Sequence, residues 1–503
     1  MSNQSFLSLY SLFLGEASFE LVSALKLVIQ SSMESYEHGE TQFQQLQSIC
    51  ASVCEKMTDS KIAHRAQKIE SERERTERWG IYRDKRLERE RDVLHGEWNS
   101  LNRSSLSNGT LPAAGSSSGS GPGVSLDSSI NLDQGDPALF EEYWRKAGER
   151  FNVAIGGGEL MSYFSNLNSM CWFLLPELDV SVRRLHRLIG NAATEGRHVV
   201  VGTGSTQLLQ AVLYALSSGD SPDQEPLSVV CAAPYYSCYP EVTGILRSGL
   251  YKWEGDARSF DKDGPYIELV TSPNNPDGSI RGPVVNRGDG KVVYDLAYYW
   301  PQYTAITHQA DHDIMLFTFS KSTGHAGSRI GWAILKDREV ARKMIKFMEV
   351  TSIGVSKEAQ FRASKILGAI CDGYESLSPE VLPESFFEYS KRLMIKRWGK
   401  LEEAVKLGGG IFSLPKFSRE YCLFSTEFTE TRPAFAWLKC KEELKDAEGL
   451  LRAHKVLARG GSKFGVDPTF VRVSMLSRED VFDAFLERLS AIKGGIMSNG
   501  SHA

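Results

Sequence analysis

A lysine at the end of an apolar run is the first residue of this sequence from which chemistry can be argued. The run Ile314–Phe319 predicts a buried strand, and Ser320 and Lys321 follow it directly. Burial lowers the pKa of a lysine, so that its neutral amine can form a Schiff base with an aldehyde. Arg329 follows among glycines, where its guanidinium can hold a phosphate group. A lone lysine at a strand end would extend toward solvent, but this arginine and the glycines favour a reactive amine.

A turn rich in glycine and hydroxyl groups is the second feature, and it includes Gly204, Ser205 and Thr206. It lies between a predicted strand, His198–Val201, and a predicted helix, Ser205–Leu216. Free amide groups, hydroxyl groups and the positive end of a helix dipole meet there, which suits an anion. A plain turn with a helix cap explains the same pattern equally well.

Polar residues also follow two other predicted strands. Asp295 comes directly after Lys291–Tyr294, with Tyr298 three residues later, and the asparagine-containing turn 272–278 follows Tyr266–Thr271. The carboxyl ends of parallel strands are where open α/β sheets bind ligands. A carboxylate there would keep a pyridine nitrogen protonated, although a helix cap is the simpler interpretation of Asp295.

Arg472 lies within a predicted strand, Phe470–Ser474, and is flanked by valines. A guanidinium in such surroundings needs an anionic partner, which a substrate carboxylate or a structural salt bridge would supply equally well. A phosphate-binding turn, a Schiff-base lysine and a carboxylate for a ring nitrogen together describe a pyridoxal-phosphate site.

The elements that must position these residues alternate between helices and short apolar strands. This order predicts an α/β fold with a mostly parallel central sheet flanked by helices, and a smaller α+β domain after it. The predicted segments are a helical extension (1–99), a Gly/Ser-rich linker (100–129), an N-terminal arm with part of the small domain (130–176), a large cofactor-binding domain (177–383), a small domain (384–495) and a tail (496–503).

The composition narrows the class of protein. The 503 residues carry a net charge of −5, with 41% hydrophobic and 24% charged residues, as in ordinary globular proteins. Without a basic excess we expect no nucleic-acid partner. No uncharged apolar run is long enough to predict a membrane span. We expect no metal site.

Several motifs resemble the alliinase/tryptophan aminotransferase family of plants, which has the fold-type I architecture of pyridoxal-phosphate transferases. The most specific lie at 271–278 (Thr-Ser-Pro-Asn-Asn-Pro-Asp-Gly), 295–301 (Asp-Leu-Ala-Tyr-Tyr-Trp-Pro) and 320–329 (Ser-Lys-Ser-Thr-Gly-His-Ala-Gly-Ser-Arg). The resemblance covers about 130–495.

The resemblance implies a role for each matching residue. Lys321 would carry the cofactor and move the proton, Asp295 would pair with the ring nitrogen, and Arg472 would bind the substrate carboxylate. The phosphate would be held by Gly204, Ser205, Thr206, Ser320 and Arg329. The remaining cofactor contacts would be Asn275 and Tyr298 at the 3-hydroxyl oxygen, Tyr236 or the adjacent Tyr235 on the ring face, and Tyr163 at the phosphate of a neighbouring subunit.

The resemblance also implies an activity. The family's tryptophan aminotransferase-related members convert L-tryptophan and a 2-oxo acid to indole-3-pyruvate in auxin synthesis. We therefore expect a cytoplasmic homodimer with shared active sites and small-molecule substrates, although some relatives carry a membrane anchor. The alternative is a C–S lyase of the alliinase type, which uses the same cofactor and lysine on cysteine sulfoxides.

Overall fold

The computed structural model describes residues 128–217, 225–375 and 384–492. The predicted helical extension, nearly all of the predicted linker and the tail lie outside the described residues. In the described part of the chain, no helix is both long and apolar enough to cross a membrane.

A mixed sheet of seven strands organises the first half of the described residues, after a short strand β1 (Ile130–Asn131). Its strands are β2 (His198–Gly202), β3 (Leu227–Cys231), β4 (Tyr251–Asp256), β5 (Tyr266–Thr271), β6 (Gly290–Asp295), β7 (Ile314–Thr318) and β8 (Gly331–Leu335). The order is β2-β8-β7-β6-β5-β3-β4. Pairing is parallel from β4 to β7, whereas β8 runs antiparallel to β7 and β2. The predicted mostly parallel sheet is therefore confirmed.

The apolar residues of the central strands are consistent with a sheet that helices cover. Every residue of β3, β5, β7 and β8 is buried, as expected for strands with helices on both faces. Strand β4 was not predicted, because its sequence Tyr-Lys-Trp-Glu-Gly-Asp mixes polar residues into an edge strand with one buried residue.

Ten α-helices lie in the described residues. They are α1 (Glu141–Ala147), α2 (Pro176–Ile189), α3 (Gly204–Ser217), α4 (Tyr239–Ile245), α5 (Phe319–Ser322), α6 (Arg338–Ser352), α7 (Lys357–Glu375), α8 (Phe386–Leu407), α9 (Ala447–Ala453) and α10 (Glu479–Ala491). Helices α3 and α6 pack on each other and on β2 and β8, and α2 packs on α7. Asp337 caps α6 by accepting from the amides of Glu339 and Val340.

The C-terminal region holds a second, antiparallel sheet of order β14-β15-β12-β9. Its elements and their neighbours are β9 (Phe412–Ser413), β10 (Arg419–Cys422), β11 (Glu427–Glu430), β12 (Phe435–Cys440), β13 (Val456–Leu457), β14 (Arg459–Gly460) and β15 (Phe470–Ser474). Strand β1 pairs with β13, and the Leu132 carbonyl accepts from the amide of Ser474 at 2.9 Å. The start of the arm is thereby tied to the C-terminal region.

One strand prediction in this region was wrong in its position. The sequence predicts a strand over Tyr421–Ser425, but the observed strand β10 begins two residues earlier, and Leu423 and Phe424 lie in the turn before β11. Strand β10 is mostly exposed and pairs with β11 alone, so its apolar residues do not mark its extent.

Candidate active site

Lys321 lies in the short helix α5, directly after β7. Its ammonium nitrogen donates to the main-chain oxygen of Gly135, while its own carbonyl accepts from Gln302 and Tyr303 at 3.1 and 3.2 Å. Burial, followed by the positive charges of Arg472 and Arg329, lowers the pKa of Lys321 from 10.5 to about 8. The fold therefore favours the neutral amine that a Schiff base requires.

Asp295 ends the neighbouring strand β6 and faces the same cavity, whose volume is about 190 Å³. Its carboxylate accepts from the hydroxyl of Tyr239 at 3.1 Å and from the amide of Ala297 at 3.2 Å. Burial raises the pKa of Asp295 to about 6, and these two hydrogen bonds oppose the rise. No arginine, lysine or histidine among the described residues forms an ion pair with this carboxylate. A protonated ring nitrogen would supply the missing positive charge.

One end of the cavity forms where α3 begins. Gly204 has a φ of +73°, and a Cβ on it would lie 2.5 Å from Nη2 of Arg329. Ser205, Thr206 and Ser320 line the cavity beside this guanidinium. Two hydroxyl-bearing residues at a helix start, a third hydroxyl group and an arginine make a cradle suited to phosphate.

Two loops at the carboxyl edge of the sheet are tied together by Arg281. Its Nη1 donates to the carbonyl of Pro234 at 3.0 Å, and its Nη2 forms a 2.6 Å ion pair with Asp277. The first loop carries Tyr236 and the second carries Asn275, and both side chains line the cavity, as does Tyr298. The arginine therefore joins the two loops that carry these cavity-lining residues.

The structure separates the two adjacent tyrosines between which the sequence left a choice. Tyr236 lines the cavity, whereas the ring of Tyr235 packs edge-on against Trp253, with centroids 5.0 Å apart. Of the two, only Tyr236 lines the cavity.

Arg472, on the second sheet, contacts Asn275, which lines this cavity. It is 2% exposed, and its Nη1 and Nη2 donate to the side-chain oxygen of Asn275 at 2.9 Å and to the carbonyl of Asp133 at 2.6 Å. Its guanidinium lies 4.1 Å from the ring centroid of Phe435, and its Nε has no hydrogen-bond partner. Burial lowers the pKa of Arg472 to about 10. Among the described residues Arg472 makes no salt bridge. The structural salt bridge that the sequence left open as an explanation of this buried arginine is therefore not found.

Tyr163 is the one predicted site residue that the structure leaves apart from the others. It is 67% exposed, in the segment between α1 and α2 that also exposes Met161 and Leu167. Within a single chain it does not line the cavity.

Comparison of the sequence with known proteins identifies its family. The family model described as Allinase matches residues 130–493. The chain belongs to the alliinase family. Over 383 residues it is 56% identical to tryptophan aminotransferase-related protein 2 of Oryza sativa subsp. japonica, covering 74% of this chain and 75% of the relative. Over 365 residues it is 34% identical to alliin lyase of Allium cepa var. aggregatum, covering 71% and 80%.

Among solved structures, the aspartate aminotransferase of Rhizobium meliloti aligns with this alliinase-family chain with a TM-score of 0.51. The identity is 19%, and the alignment covers 73% of this chain and 91% of that one. The likeness shows the fold, which is that of the fold-type I pyridoxal-phosphate enzymes.

Pyridoxal 5′-phosphate, the cofactor of the alliinase family, fits the groups of this cavity. A buried carboxylate without a cationic partner, Asp295, suits the ring nitrogen. Lys321 suits the aldehyde, and the cradle around Arg329 suits the phosphate. The chain is therefore an aminotransferase-type pyridoxal-phosphate enzyme.

Sequence reasoning missed three residues that contact the candidate site residues. Gly135 and Asp133, on the N-terminal arm, contact Lys321 and Arg472 only because the chain folds back, so no local pattern marks them. Tyr239 bonds to Asp295 and has a sequence signal, the motif Pro-Tyr-Tyr-Ser-Cys-Tyr at 234–239.

Proposed function

We propose that this chain is a transaminase that transfers the amino group of L-tryptophan, and of other aromatic amino acids, to pyruvate or another 2-oxo acid, with indole-3-pyruvate as product. In plants this reaction serves auxin synthesis. One observation carries the choice: identity reaches 56% with a tryptophan aminotransferase-related protein but 34% with an alliin lyase.

The contacts of Arg472 support an amino-acid substrate. Both of its terminal nitrogens donate to neutral oxygens, so an entering carboxylate would be its first anionic partner among the described residues. The bidentate geometry of a guanidinium would orient the carboxylate and with it the Cα–H bond.

Lys321 supplies the base in this proposal. Bound pyridoxal phosphate supplies an aldehyde and a ring that takes up the electron pair of the bond broken at the substrate Cα. Lys321 would hold the cofactor through its side-chain amine, and the same amine, when free, would accept the proton from the substrate Cα. Because its pKa is lowered to about 8, this amine would be able both to accept and to donate a proton near neutral pH.

Three other groups hold the reacting atoms still. Asp295 keeps the proton on the ring nitrogen, so that the ring accepts electrons. Tyr236 covers one ring face, and Arg329 anchors the phosphate. The same residues would serve the 2-oxo acid in the second half of the reaction, and we therefore expect ping-pong kinetics.

The test is to separate the two reactions by their products. Purified protein with pyridoxal phosphate is given L-tryptophan and pyruvate, and indole-3-pyruvate and alanine are measured together. In parallel, an S-alkyl-L-cysteine sulfoxide is given alone, and released pyruvate is measured. We expect stoichiometric indole-3-pyruvate and alanine in the first reaction and little pyruvate in the second. Catalytic release of pyruvate from the sulfoxide without transamination of tryptophan would instead establish the lyase.

We also propose a homodimer in which Tyr163 contacts the phosphate bound by the other copy. The segment 161–167 exposes the apolar side chains of Met161, Phe164 and Leu167 as well as Tyr163, and exposed apolar residues in one segment support an interface between copies of the chain.

A further inference from the structure

Tyr239 is a buried tyrosine that touches two groups of the cofactor site from behind. It is the first residue of α4 and is 1% exposed. Its hydroxyl lies 2.6 Å from Oγ1 of Thr271 and 3.1 Å from Oδ2 of Asp295. Its ring meets that of Tyr236 edge-on at 87°, with centroids 5.3 Å apart. One side chain therefore contacts both the partner of the ring nitrogen and the residue on the ring face.

The directions of these hydrogen bonds follow from their chemistry. An ionised carboxylate only accepts, so the single proton of the Tyr239 hydroxyl points to Asp295. Thr271 must then donate to Tyr239, and the order is Thr271 to Tyr239 to Asp295. Hydrogen bonds arranged in series polarise one another, which strengthens the last one on the carboxylate.

Main-chain hydrogen bonds fix the positions of the two residues that Tyr239 bridges. Thr271 and Asp295 are paired in register as the last residues of the parallel strands β5 and β6. The amide of Ser272 also donates to the Asp295 carbonyl at 3.1 Å. The carboxylate and the threonine hydroxyl thus have little freedom to move apart, and the tyrosine bridges them.

We propose that Tyr239 positions the two residues that hold the pyridine ring of the cofactor. Its hydroxyl orients the Asp295 carboxylate toward the pyridine nitrogen, and its phenol ring supports Tyr236 against the face of the pyridine ring. The proposal rests on the role of Asp295 in the proposed function. It adds a residue that touches neither cofactor nor substrate.

Tyr239→Phe removes the hydroxyl and keeps the ring against Tyr236. Because a hydrogen bond to a charged group is lost, the dissociation constant of pyridoxal phosphate should rise about tenfold, as measured by titrating the cofactor-free protein and following protein fluorescence. A tyrosine with only a structural role would lower the melting temperature of the cofactor-free protein and leave the dissociation constant unchanged, and that result would overturn the proposal.

Tyr266→Phe is the matched control. Tyr266 is also buried, on β5, but its hydroxyl donates to the carbonyl of Val285 and it does not line the cavity. We expect this variant to bind pyridoxal phosphate like the parent, whatever it does to the melting temperature. An equal loss of affinity in both variants would show a general effect of removing a buried hydroxyl.

A double-mutant cycle tests whether Tyr239 acts through Asp295. In the Asp295→Asn background, Tyr239→Phe should change the dissociation constant less than twofold. An analogue of the cofactor in which CH replaces the ring nitrogen should likewise be bound equally by the parent and Tyr239→Phe. A tenfold loss that persists in either experiment would contradict the proposal.

The outcomes also separate this proposal from the assignment of Asp295. If Asp295→Asn binds the cofactor as tightly as the parent, the ring-nitrogen role fails, and the proposed site with it. If Asp295→Asn weakens binding and Tyr239→Phe does not, only the role of Tyr239 fails. Should Tyr239→Phe not fold, Thr271→Val removes the hydroxyl that donates to Tyr239. This variant should weaken binding of pyridoxal phosphate about threefold. Unchanged binding would contradict the proposed series of hydrogen bonds from Thr271 through Tyr239 to Asp295.

Discussion

Arg472 donates a 2.9 Å hydrogen bond from Nη1 to the side-chain oxygen of Asn275. The arginine belongs to β15 of the C-terminal sheet, and the asparagine follows β5 of the seven-stranded sheet. The bond therefore joins two sheets at the cavity, and it places the proposed carboxylate-binding group beside a proposed contact of the cofactor.

Arg472→Lys should raise the KM for the amino acid about a hundredfold and leave the affinity for pyridoxal phosphate nearly unchanged. A lysine keeps the charge but loses the planar pair of donors that a carboxylate needs. Steady-state kinetics and cofactor titration give the two values. Arg478→Lys, at an exposed ion pair with Glu141, is the control and should alter neither. An unchanged KM in Arg472→Lys would contradict the proposal that Arg472 binds the substrate carboxylate.

The rate at which the cofactor-free protein captures pyridoxal phosphate should follow the titration of Lys321. Burial lowers the pKa of Lys321 to about 8, so the neutral amine increases as the pH rises toward 8 and is nearly complete well above it. The rate, followed at the absorption band near 420 nm, should therefore rise from pH 6 and level off above about pH 9. Lys321→Ala should show no such band at any pH. A capture rate that still rises at pH 10 would show that the pKa of Lys321 is not lowered.

Gly204→Ala should weaken cofactor binding about tenfold or more. The new Cβ would lie 2.5 Å from Nη2 of Arg329, and the φ of +73° strains any residue with a side chain. Gly327→Ala, in the loop before Arg329, is the matched control, since a Cβ there meets nothing within 4 Å. Titration with pyridoxal phosphate should separate the two variants. Similar affinities would mean that the start of α3 does not contribute to the phosphate cradle.

Asp133→Asn should raise the KM for the amino acid severalfold and lower the free energy of unfolding by about 1–3 kcal/mol. Arg459 holds the Asp133 carboxylate through two hydrogen bonds of 2.5 and 2.7 Å, and the Asp133 carbonyl accepts from Arg472. The ion pair thus fixes the arm that contacts Arg472.

The same pair makes a prediction about pH. The hydrogen bonds from Arg459 lower the pKa of Asp133 below 3.8 in the folded protein. The stabilisation is therefore complete well above pH 3.8 and is lost as the pH falls through the folded pKa. Urea unfolding should show the difference between the parent and Asp133→Asn shrinking below pH 4. A constant difference would mean that the charge of Asp133 is not what stabilises the arm.

Tyr163→Phe should weaken binding of pyridoxal phosphate severalfold in the dimer. The hydroxyl is exposed in the single chain, so an effect on the cofactor requires a second copy. Light scattering gives the oligomeric state and titration gives the affinity. Tyr421→Phe, at another exposed tyrosine, is the control and should bind like the parent. A monomer, or a dimer in which Tyr163→Phe binds normally, would contradict the shared site.

Local pattern was enough to predict most of the elements that carry the site. Strands β7 and β8 are nearly continuous apolar runs, and strands buried on both faces of a mostly parallel sheet typically have such sequences. Exposed and edge strands such as β4 and β10 were missed or misplaced, since only one face or neither is buried there.

The sequence by itself determined the α/β order, the apolar strands and the residues at their carboxyl ends, because apolar periodicity and chain order are local properties. Only the tertiary structure decided that Gly135, 186 residues from Lys321, contacts its amine, and that Arg472 meets Asn275 across 197 residues. It also decided which of two adjacent tyrosines faces the cavity. These contacts depend on how the C-terminal sheet and the arm pack against the larger sheet, and packing between distant segments leaves no mark in the spacing of neighbouring residues.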